Sequence, residues 1–514
     1  MTFLRHDAQD TGPQYLEDLA TGYWFSEVLF TAIELALFTR LEPDGKTAVE
    51  LSGALGLSPS GIDRFLNALC VMGLLTRHED RYFNTGIAAA YLVAGKAHYQ
   101  GDSILWRKEL TAQWKGLGDC LVSGGRVPCA SGTEIDEGRQ ERIRRYITAM
   151  DSVAKTKVKE ILSFFSGLAF TGELLDVGAG SGAMAAGFLE HAPSLQALLM
   201  DIPEVLACSR KFIQTQGLGE RVTYCEANIL ERWPVEKARF DIVMLSNIIH
   251  AYSEKELPHI LTCAAESLKE DGLMIIHDFF LDHNPRKAAL FDLNMFINTY
   301  NGRVFPSPPV MEELSRLRLF HTDLIPLESD TAIILASRSH SALSRIPIDP
   351  KIRLASAIKG LGFVDVLPIP VENIHIPDWA DQKCRFGCDR YGSPNCPPHT
   401  VSPENTRAFI RDYRFALLLE GAPPTGEFQK RVLQAEKEAF KAGFYKAFAY
   451  WAGPCSICAS CVKDGDCRNT KDARPSMEGA GIDVYETVRR AGIGLRTLDS
   501  RSGFVKYFGL LLVE

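Results

Sequence analysis

The chain has 514 residues, of which 46% are hydrophobic and 23% charged, and its formal net charge is −8 at pH 7. A chain of this length exceeds one ordinary hydrophobic core, so we expect about two to four domains. The composition is that of a globular protein; no apolar run reaches the ~18 residues that span a bilayer, and the first residues lack a signal-peptide pattern. We therefore expect a cytoplasmic protein without a membrane partner, and the negative charge argues against nucleic acid as a partner.

The first region, residues 1–98, is predicted to form a winged-helix domain. Residues 15–41 carry apolar side chains at helical spacing, and residues 47–85 are typical of a helix, a turn, a second helix and a short hairpin. One interpretation is a DNA-binding domain. However, the second helix, within residues 58–73, contains Arg64 as its single basic residue, and phosphate contacts require more positive charge. We favour a domain that joins two copies of the chain.

The second region, residues 99–338, begins with helices and continues as alternating strands and helices. The predicted strands are Glu173–Val177, Gln196–Asp201, Val222–Glu226, Ile242–Ser246 and Leu273–Asp278. Because helical segments separate them, we predict a doubly wound, Rossmann-like α/β sheet with parallel strands. Residues 320–338 are expected to add a terminal strand pair. The polar, proline-containing segment 337–351 is predicted to be a linker, and residues 352–514 a cysteine-rich α+β domain.

A glycine-rich turn follows the first predicted strand of the sheet and precedes a helix. Its glycines are Gly178, Gly180 and Gly182. Glycines leave room for a nucleotide-like cofactor, and the helix N-terminus attracts a carboxylate. Asp176 is placed to contact a cationic end of that cofactor, and Asp201, at the end of the next strand, to accept both ribose hydroxyls. NAD would suit the same residues, so at this point a dehydrogenase is an alternative.

Several segments of the second region carry a resemblance to a known family. They are LLDVGAGSG, LLMDIPEVL, RVTYCEANIL, FDIVMLSNIIHAYSEKEL, LKEDGLMIIHDFFLD and FDLNMFINTYNGRVF. Residues 15–338 resemble the winged-helix-containing O-methyltransferases related to acetylserotonin and hydroxyneurosporene methyltransferases. The resemblance implies S-adenosylmethionine as cofactor, a small-molecule acceptor with an oxygen nucleophile, and a homodimer formed through the N-terminal domain.

The resemblance also implies roles for single residues around the cofactor. Asp176, the three glycines and Asp201 match the cofactor residues of the family. Asn228 lies where the family usually has Gly-Asp and is assigned to the adenine amine. Ser246 and Asn247, at the end of the fourth strand, are assigned a place beside the reacting methyl group.

A histidine after the fourth strand is the candidate general base. Plant members of the family have His-Asp-Trp there, and this chain has His250-Ala251-Tyr252. Imidazole titrates near neutral pH and accepts a proton from a phenol. The alternative is a structural histidine, with catalysis by alignment of nucleophile, methyl carbon and sulfur. The candidate substrate-pocket residues are His277, Asp278, Asn294, Asn298 and Arg303.

The third region contains two groups of cysteines. They are Cys384, Cys388 and Cys396, followed by Pro397-Pro398, and then Cys455, Cys458, Cys461 and Cys467. In a reducing compartment such groups predict metal ligands rather than disulfides. Cysteines separated by two residues favour an iron–sulfur cluster, with zinc as the alternative. One group alone, or both together, would supply the ligands.

This third region resembles an uncharacterised family of predicted metal-binding proteins, on the segments CPPHT, GPCSIC and ARPSMEGAGIDVYET. Together the three regions predict an S-adenosylmethionine-dependent O-methyltransferase with an appended metal-binding domain. The alternative is a metal- or redox-sensing regulator whose methyltransferase-like domain binds the cofactor without catalysis.

Overall fold

The computed structural model describes residues 12–127, 136–165, 167–462, 466–495, 497 and 505–514. These residues form two compact units, of which the first contains Pro13–Pro347 and the second Ile348–Glu514. The boundary between the units falls inside the predicted linker. Over the described ranges, no helix is long and apolar enough to cross a membrane.

The N-terminal part of the first unit is a winged helix, as the sequence predicts. Its elements are α1 (Gln14–Thr21), α2 (Tyr23–Glu34), α3 (Leu37–Arg40), β1 (Lys46–Thr47), α4 (Ala48–Leu55), α5 (Pro59–Val71), β2 (Leu75–His78), β3 (Arg81–Asn84) and α6 (Gly86–Tyr91). The strand β3 lies between β1 and β2 and is antiparallel to both. Thr47 and Glu50 form a capping box that begins α4, which satisfies free N–H groups of its first turn.

Helices connect the winged helix to the central sheet. They are α7 (Gly101–Glu109), α8 (Thr111–Lys115), α9 (Leu117–Ser123) and the long α10 (Asp136–Ser163). The helix α10 packs against α7 on one side and against helices of the central sheet on the other. The helix α10 therefore joins α7 to the helices that flank the central sheet.

The central sheet alternates with helices along the chain. Its elements are β4 (Gly172–Val177), α11 (Ala183–His191), β5 (Leu195–Asp201), α12 (Pro203–Thr215), β6 (Val222–Glu226), β7 (Phe240–Ser246), α13 (Leu257–Ser267), β8 (Leu268–Asp278), α14 (Pro285–Asn298), α15 (Ser307–Arg316), β9 (Phe320–His321), β10 (Ile325–Pro326), β11 (Ala332–Ser337) and α16 (His340–Ser344).

The strand order of this sheet is β10-β11-β8-β7-β4-β5-β6, with β9 also paired to β11. The strands from β8 to β6 are parallel, and β11 is antiparallel to β8. The five predicted strands are confirmed, although β8 begins at Leu268 rather than Leu273. The chain order reverses beside β4, because β5 lies on one side of it and β7 on the other. In open α/β sheets such a switch point forms the ligand crevice at the carboxyl ends of the strands.

The segment predicted as a linker is partly folded. Ser337 is fully buried at the end of β11, where its hydroxyl donates to the carbonyl oxygen of Gly272 at 2.7 Å. The helix α16 then packs against β8 and β11. The connection between the units is therefore shorter than the predicted segment 337–351.

The second unit has an antiparallel sheet with helices, which confirms the predicted α+β class. Its elements are α17 (Pro350–Lys359), β12 (Asp365–Pro370), α18 (Ala380–Gly387), α19 (Pro403–Ile410), β13 (Phe415–Gly421), α20 (Thr425–Lys441), β14 (Phe448–Tyr450), α21 (Val484–Arg490) and β15 (Tyr507–Leu512), and the strand order is β12-β13-β15-β14. Along β13, Leu417 and Leu419 join one buried cluster, while Ala416 and Leu418 join another. This alternation places an apolar core on each face of the sheet.

Candidate active site

The glycine-rich turn follows β4 at the switch point of the sheet. Gly178, Gly180 and Gly182 have φ angles of +66°, +58° and +83°, a region that glycine adopts readily. A Cβ on Gly178 would lie 2.5 Å from Ile248 Cδ1, and one on Gly182 would lie 2.8 Å from Leu199 Cδ1. A Cβ on Gly180 would have no neighbour within 4 Å among the described residues. The outer glycines therefore serve packing, whereas Gly180 borders open space.

Asp201, at the end of β5, is bonded to this turn. Its Oδ2 accepts the backbone N–H of Gly180 at 3.0 Å, and its Oδ1 accepts that of Ile202 at 2.7 Å. Burial raises the pKa of Asp201, although these two hydrogen bonds act in the opposite direction. The carboxylate is thus held beside the one glycine that borders open space, where it suits a ribose.

Asp176 lies beneath the same turn and is 1% exposed. Its Oδ2 accepts the backbone N–H of Ala185 at 3.3 Å. Burial raises the pKa of Asp176 to about 7. A cationic group bound above the turn would favour the ionised carboxylate, because opposite charges lower the pKa of an acid.

A cavity of about 550 Å³ adjoins the turn and is lined by Gly178, Gly180, Asn247, His250 and residues of α7, α10 and α14. Asn247 has a positive φ of 51°, and its buried Oδ1 has no hydrogen-bond partner among the described residues. A buried acceptor without a donor is unfavourable unless a ligand satisfies it. The open space at Gly180, this free acceptor and Asp176 fit a nucleoside cofactor that carries N–H donors and a cationic amino group.

His250 and Asp278 form a pair at the wall of the cavity. Asp278 Oδ1 lies 2.5 Å from His250 Nδ1, and Asp278 Oδ2 accepts the backbone N–H of His250 at 3.3 Å. Asp278 is completely buried and His250 is 13% exposed. Because a carboxylate only accepts hydrogen bonds, Nδ1 carries the hydrogen and Nε2 keeps a lone pair. His250 can therefore act as a base, with Asp278 as the group that orients it.

The orienting role of Asp278 is not part of the sequence prediction, which placed this residue in the substrate pocket. The structure corrects that placement, since Asp278 lies behind His250 and does not line the cavity. The sequence nevertheless contained a signal that Asp278 lies close to His250. Asp278 ends the strand next to β7, and the carboxyl ends of adjacent parallel strands meet at one edge.

His277 is also buried behind the cavity, and the predicted pocket role is corrected in the same way. Its Nδ1 lies 2.8 Å from Ser246 Oγ and its Nε2 lies 2.9 Å from Thr331 Oγ1. Burial lowers the pKa of His277 to about 3, so the ring is neutral. Ser246 lines the cavity and its hydroxyl is bonded to this histidine, while its place beside the methyl group stays a prediction.

The other predicted pocket residues divide into two groups. Asn294 and Asn298 line the cavity, and Asn294 Oδ1 accepts from Trp114 Nε1 and from Asn298 Nδ2, both at 3.0 Å. Arg303 does not line it; its guanidinium pairs with Glu254 at 2.5 Å, which corrects the prediction.

Asn228, which the sequence assigns to the adenine amine, is exposed on the loop after β6 and lies outside the cavity lining. Its Oδ1 accepts the backbone N–H of Leu230 at 3.1 Å, and its Nδ2 donates to Glu231 Oε1 at 3.2 Å. The Asn228 side chain is thus hydrogen-bonded to residues of its own loop. The contact to adenine stays a prediction.

The sequence analysis missed the charged residues of the cavity, which are Arg107, Arg142, Lys157 and Asp330. Lys157 Nζ lies 2.9 Å from Asp330 Oδ1, and Lys287 contacts the other carboxylate oxygen. Although burial opposes ionisation, these two ammonium groups lower the pKa of Asp330 to about 2. Single charged residues on helices carry no local motif, so only the packing of α7 and α10 reveals them.

The cysteines of the second unit lie near one another without forming a closed metal site. Asn395 Nδ2 lies 3.4 Å from Cys467 Sγ, so the segment of the first cysteine group touches the second group. Burial, and then the neighbouring thiols of both groups, raise the pKa of Cys396 to about 11. In the described parts of the chain, no three Cys, His, Asp or Glu side chains converge at ligating distance. The thiol groups are donors that suit a thiophilic metal.

Comparisons with known proteins match three successive parts of the chain. Residues 17–94 match the O-methyltransferase dimerisation domain, and residues 127–307 match the O-methyltransferase domain. Residues 368–513 match the family described as predicted metal-binding protein (DUF2284). The three matches follow the order of the three predicted regions.

Named relatives and solved structures cover the first unit. The chain is 28% identical to 3-hydroxy-5-methyl-1-naphthoate 3-O-methyltransferase of Streptomyces sahachiroi, over 56% of this chain and 84% of the relative. It is 27% identical to acetylserotonin O-methyltransferase of Bos taurus, over 56% and 87%. An O-methyltransferase family protein from Burkholderia thailandensis has a TM-score of 0.53 and 25% identity, over 64% of this chain and 98% of that one. The chain thus matches, in this order, the O-methyltransferase dimerisation domain, the O-methyltransferase domain and a predicted metal-binding family, and the two named relatives are O-methyltransferases.

Proposed function

We propose that the protein transfers the methyl group of S-adenosylmethionine to a hydroxyl group of a small aromatic molecule bound in the cavity. The observation that carries this proposal is the His250–Asp278 pair, which faces the same cavity as the glycine-rich turn. A regulator without catalysis would have no need for a buried carboxylate that orients a histidine. The relatives named for naphthoate and acetylserotonin support an aromatic acceptor.

The residues around the turn would hold the donor. Asp201 would accept the ribose hydroxyls, Asp176 would face the amino group, and the N-terminus of α11 would face the carboxylate. Bound S-adenosylmethionine supplies a methyl group on a positively charged sulfur, which is a good leaving group. Asn247 would use its free Oδ1 to accept a hydrogen bond from the same molecule.

The acceptor would lie in the cavity beside the aromatic rings and His250. Phe279 and Phe291 stack with ring centroids 3.8 Å apart, and the ring of His250 meets Phe291 edge-on at 5.2 Å. His250 Nε2 would take the proton of the acceptor hydroxyl as the new oxygen–carbon bond forms, and Asp278 would stabilise the resulting imidazolium. The products are a methyl ether and S-adenosylhomocysteine, with the proton on His250.

Calorimetry with S-adenosylmethionine tests the cofactor assignment. We expect the wild-type chain to bind the donor and Asp201→Ala to bind it at least about tenfold more weakly, since a charge-assisted hydrogen bond contributes about 1.5–3 kcal/mol. Asp282→Ala, an aspartate bonded to Ser307 beyond β8, is the control and keeps full affinity. Tight binding that is unaffected by Asp201→Ala would contradict the assignment.

The N-terminal helices would join two copies of the chain. Among the described residues of α1 and α2, Leu16, Tyr23 and Trp24 are 66%, 63% and 58% exposed. Apolar side chains grouped on one surface mark an interface, and the dimerisation-domain match supports a homodimer. Light scattering after gel filtration tests this, with a dimer expected for wild type and a monomer for the double variant Tyr23→Glu, Trp24→Glu.

The part of the second unit from Cys384 to Cys467, here called the cysteine region, would bind an iron–sulfur cluster. Its ligands would come from both cysteine groups. The contact between Asn395 and Cys467 and the mutual effect of the thiols on Cys396 support one shared region. Thiolates that repel one another are stabilised by a metal cation. Anaerobic purification with iron and acid-labile sulfide analysis tests the cluster. A colourless protein that holds only zinc would contradict it.

A further inference from the structure

Arg107 projects from α7 into the catalytic cavity. Protein surrounds the side chain closely enough that burial lowers the pKa of its guanidinium, yet much of its surface borders the open volume of the cavity. The residue is therefore neither a solvated surface arginine nor a packed core residue. It is an exposed cation on the wall of the cavity.

Within the described residues, Arg107 has no ion-pair or hydrogen-bond partner. The carboxylate of the cavity, Asp330, acts on Arg107 only at a distance. That carboxylate is already bonded to Lys157 and Lys287. The positive charge of Lys157 is thus compensated, whereas that of Arg107 is not. A bound anion at this position would therefore gain from the positive charge of Arg107, for which the described residues supply no counter-charge.

Aromatic rings form much of the remaining cavity wall. Phe279 and Phe291 stack beside His250, and the rings of Trp106 and Tyr146 lie 5.3 Å apart near Arg107. Flat apolar surfaces favour an aromatic ligand. The cavity therefore combines aromatic walls, a basic imidazole and a free guanidinium.

We propose that the methyl acceptor is an aromatic molecule that carries a carboxylate as well as the reacting hydroxyl, and that Arg107 binds this carboxylate. This inference rests on the proposed methyl transfer. A guanidinium presents parallel N–H donors that match a carboxylate, and their planar geometry fixes the ring that carries it. Arg107 is thus a specificity-determining residue, which orients the hydroxyl toward His250.

A second carboxylate could reach Arg107, because S-adenosylmethionine itself carries one. The N-terminus of α11 follows Gly182 directly, and the positive end of the helix dipole there favours the donor carboxylate. The donor therefore has a partner of its own, which leaves Arg107 for the acceptor. The experiment below separates the two sources.

The test uses the full-length chain and calorimetry in two arms. One arm titrates S-adenosylmethionine, and the other titrates matched aromatic pairs into the protein saturated with S-adenosylhomocysteine. The pairs are 3-hydroxy-1-naphthoate with 2-naphthol, and 4-hydroxybenzoate with phenol. For wild type we expect the carboxylates to bind about 10- to 100-fold more tightly than their neutral partners, the range of a charge-assisted hydrogen bond.

Arg107→Met should abolish that preference and leave the affinity for S-adenosylmethionine unchanged, while Arg107→Lys should retain part of it. Lys108→Met is the matched control, because Lys108 is the next residue of α7 and pairs with Glu34 outside the cavity. Thermal unfolding of each variant verifies the fold.

Three results would overturn the inference. They are equal binding of carboxylates and neutral partners by wild type, the same loss in Lys108→Met as in Arg107→Met, and a loss confined to S-adenosylmethionine in Arg107→Met. The last result would assign Arg107 to the donor carboxylate. Failure of wild type to bind S-adenosylmethionine at all would instead contradict the proposed methyl transfer, so the two failures are distinguishable.

Discussion

The catalytic cavity and the cysteine region each bring together side chains that are distant in sequence, but they hold them differently. In the cavity, Asp201 is bonded to the glycine-rich turn, and Asp278 is bonded to His250. In the cysteine region, the donor atoms lie near one another, yet in the described residues no three of them converge at ligating distance.

We attribute this difference to the kind of bond that an organic cofactor and a metal ion would each form with the protein. An organic cofactor contributes weak, directional contacts, so the protein must hold the partner groups in place before binding. A thiophilic metal in the cysteine region would form strong bonds that order their own ligands. The predictions below test this contrast, beginning with the largest expected effect.

Substitution of one cysteine in each group tests whether the metal depends on both. We expect Cys396→Ser and Cys467→Ser each to lose most of the bound metal, because a thiolate site with a missing ligand binds far more weakly. The measurement is metal per chain by mass spectrometry. The control is Cys263→Ser, on α13 of the first unit. Full metal content in Cys396→Ser would restrict the site to the second group.

Removal of the candidate base tests the preformed site. We expect His250→Ala to lower kcat by about 100- to 10,000-fold, the usual contribution of a general base. Asp278→Asn should lower kcat in the same direction with little change in KM, because it acts through His250. The control is His259→Ala, an exposed histidine that contacts the Glu231 carbonyl oxygen. Unchanged kcat in His250→Ala would leave alignment as the source of catalysis.

The glycine-rich turn offers a matched pair for stability. Gly182 and Gly217 both have positive φ angles, of +83° and +71°. An added Cβ meets Leu199 at 2.8 Å only at Gly182. We expect Gly217→Ala to lower the free energy of unfolding by about 1–2 kcal/mol, and Gly182→Ala by about 1–3 kcal/mol more because of overpacking. Urea unfolding measures both, and equal losses would show that the packing at Gly182 is not tight.

The smallest expected effect is a pH dependence of donor binding. Burial raises the pKa of Asp176 to about 7, so its carboxyl becomes protonated as the pH falls below that value. If the ionised form faces the donor amino group, affinity for S-adenosylmethionine is full at higher pH and falls about fivefold from pH 7 to pH 6. Calorimetry at both values measures this, and Asp176→Asn should remove the dependence. A persistent dependence in that variant would exclude Asp176 as its source.

Much of the first unit could be predicted from local sequence. Strands flanked by helices, and glycines at positive φ between β4 and α11, are properties of short segments, and the structure retains them. The places of His277 and Arg303 could not be predicted in this way. His277, on β8, is bonded to Ser246 and Thr331, and Arg303, on the loop between α14 and α15, pairs with Glu254; in both cases the partners are distant in sequence.

The sequence by itself determined the order of the regions, the α/β class of the first unit, the cofactor turn and the cysteine groups, because each of these features depends on residues that are close together in the chain. Only the tertiary structure decided that Asp278 orients His250, that Asp330 compensates Lys157 and that Arg107 faces the cavity without a partner among the described residues. These relations join strand ends and helices far apart in sequence. The strength of the interactions between these charged groups depends on the exclusion of water and on the distances that folding sets.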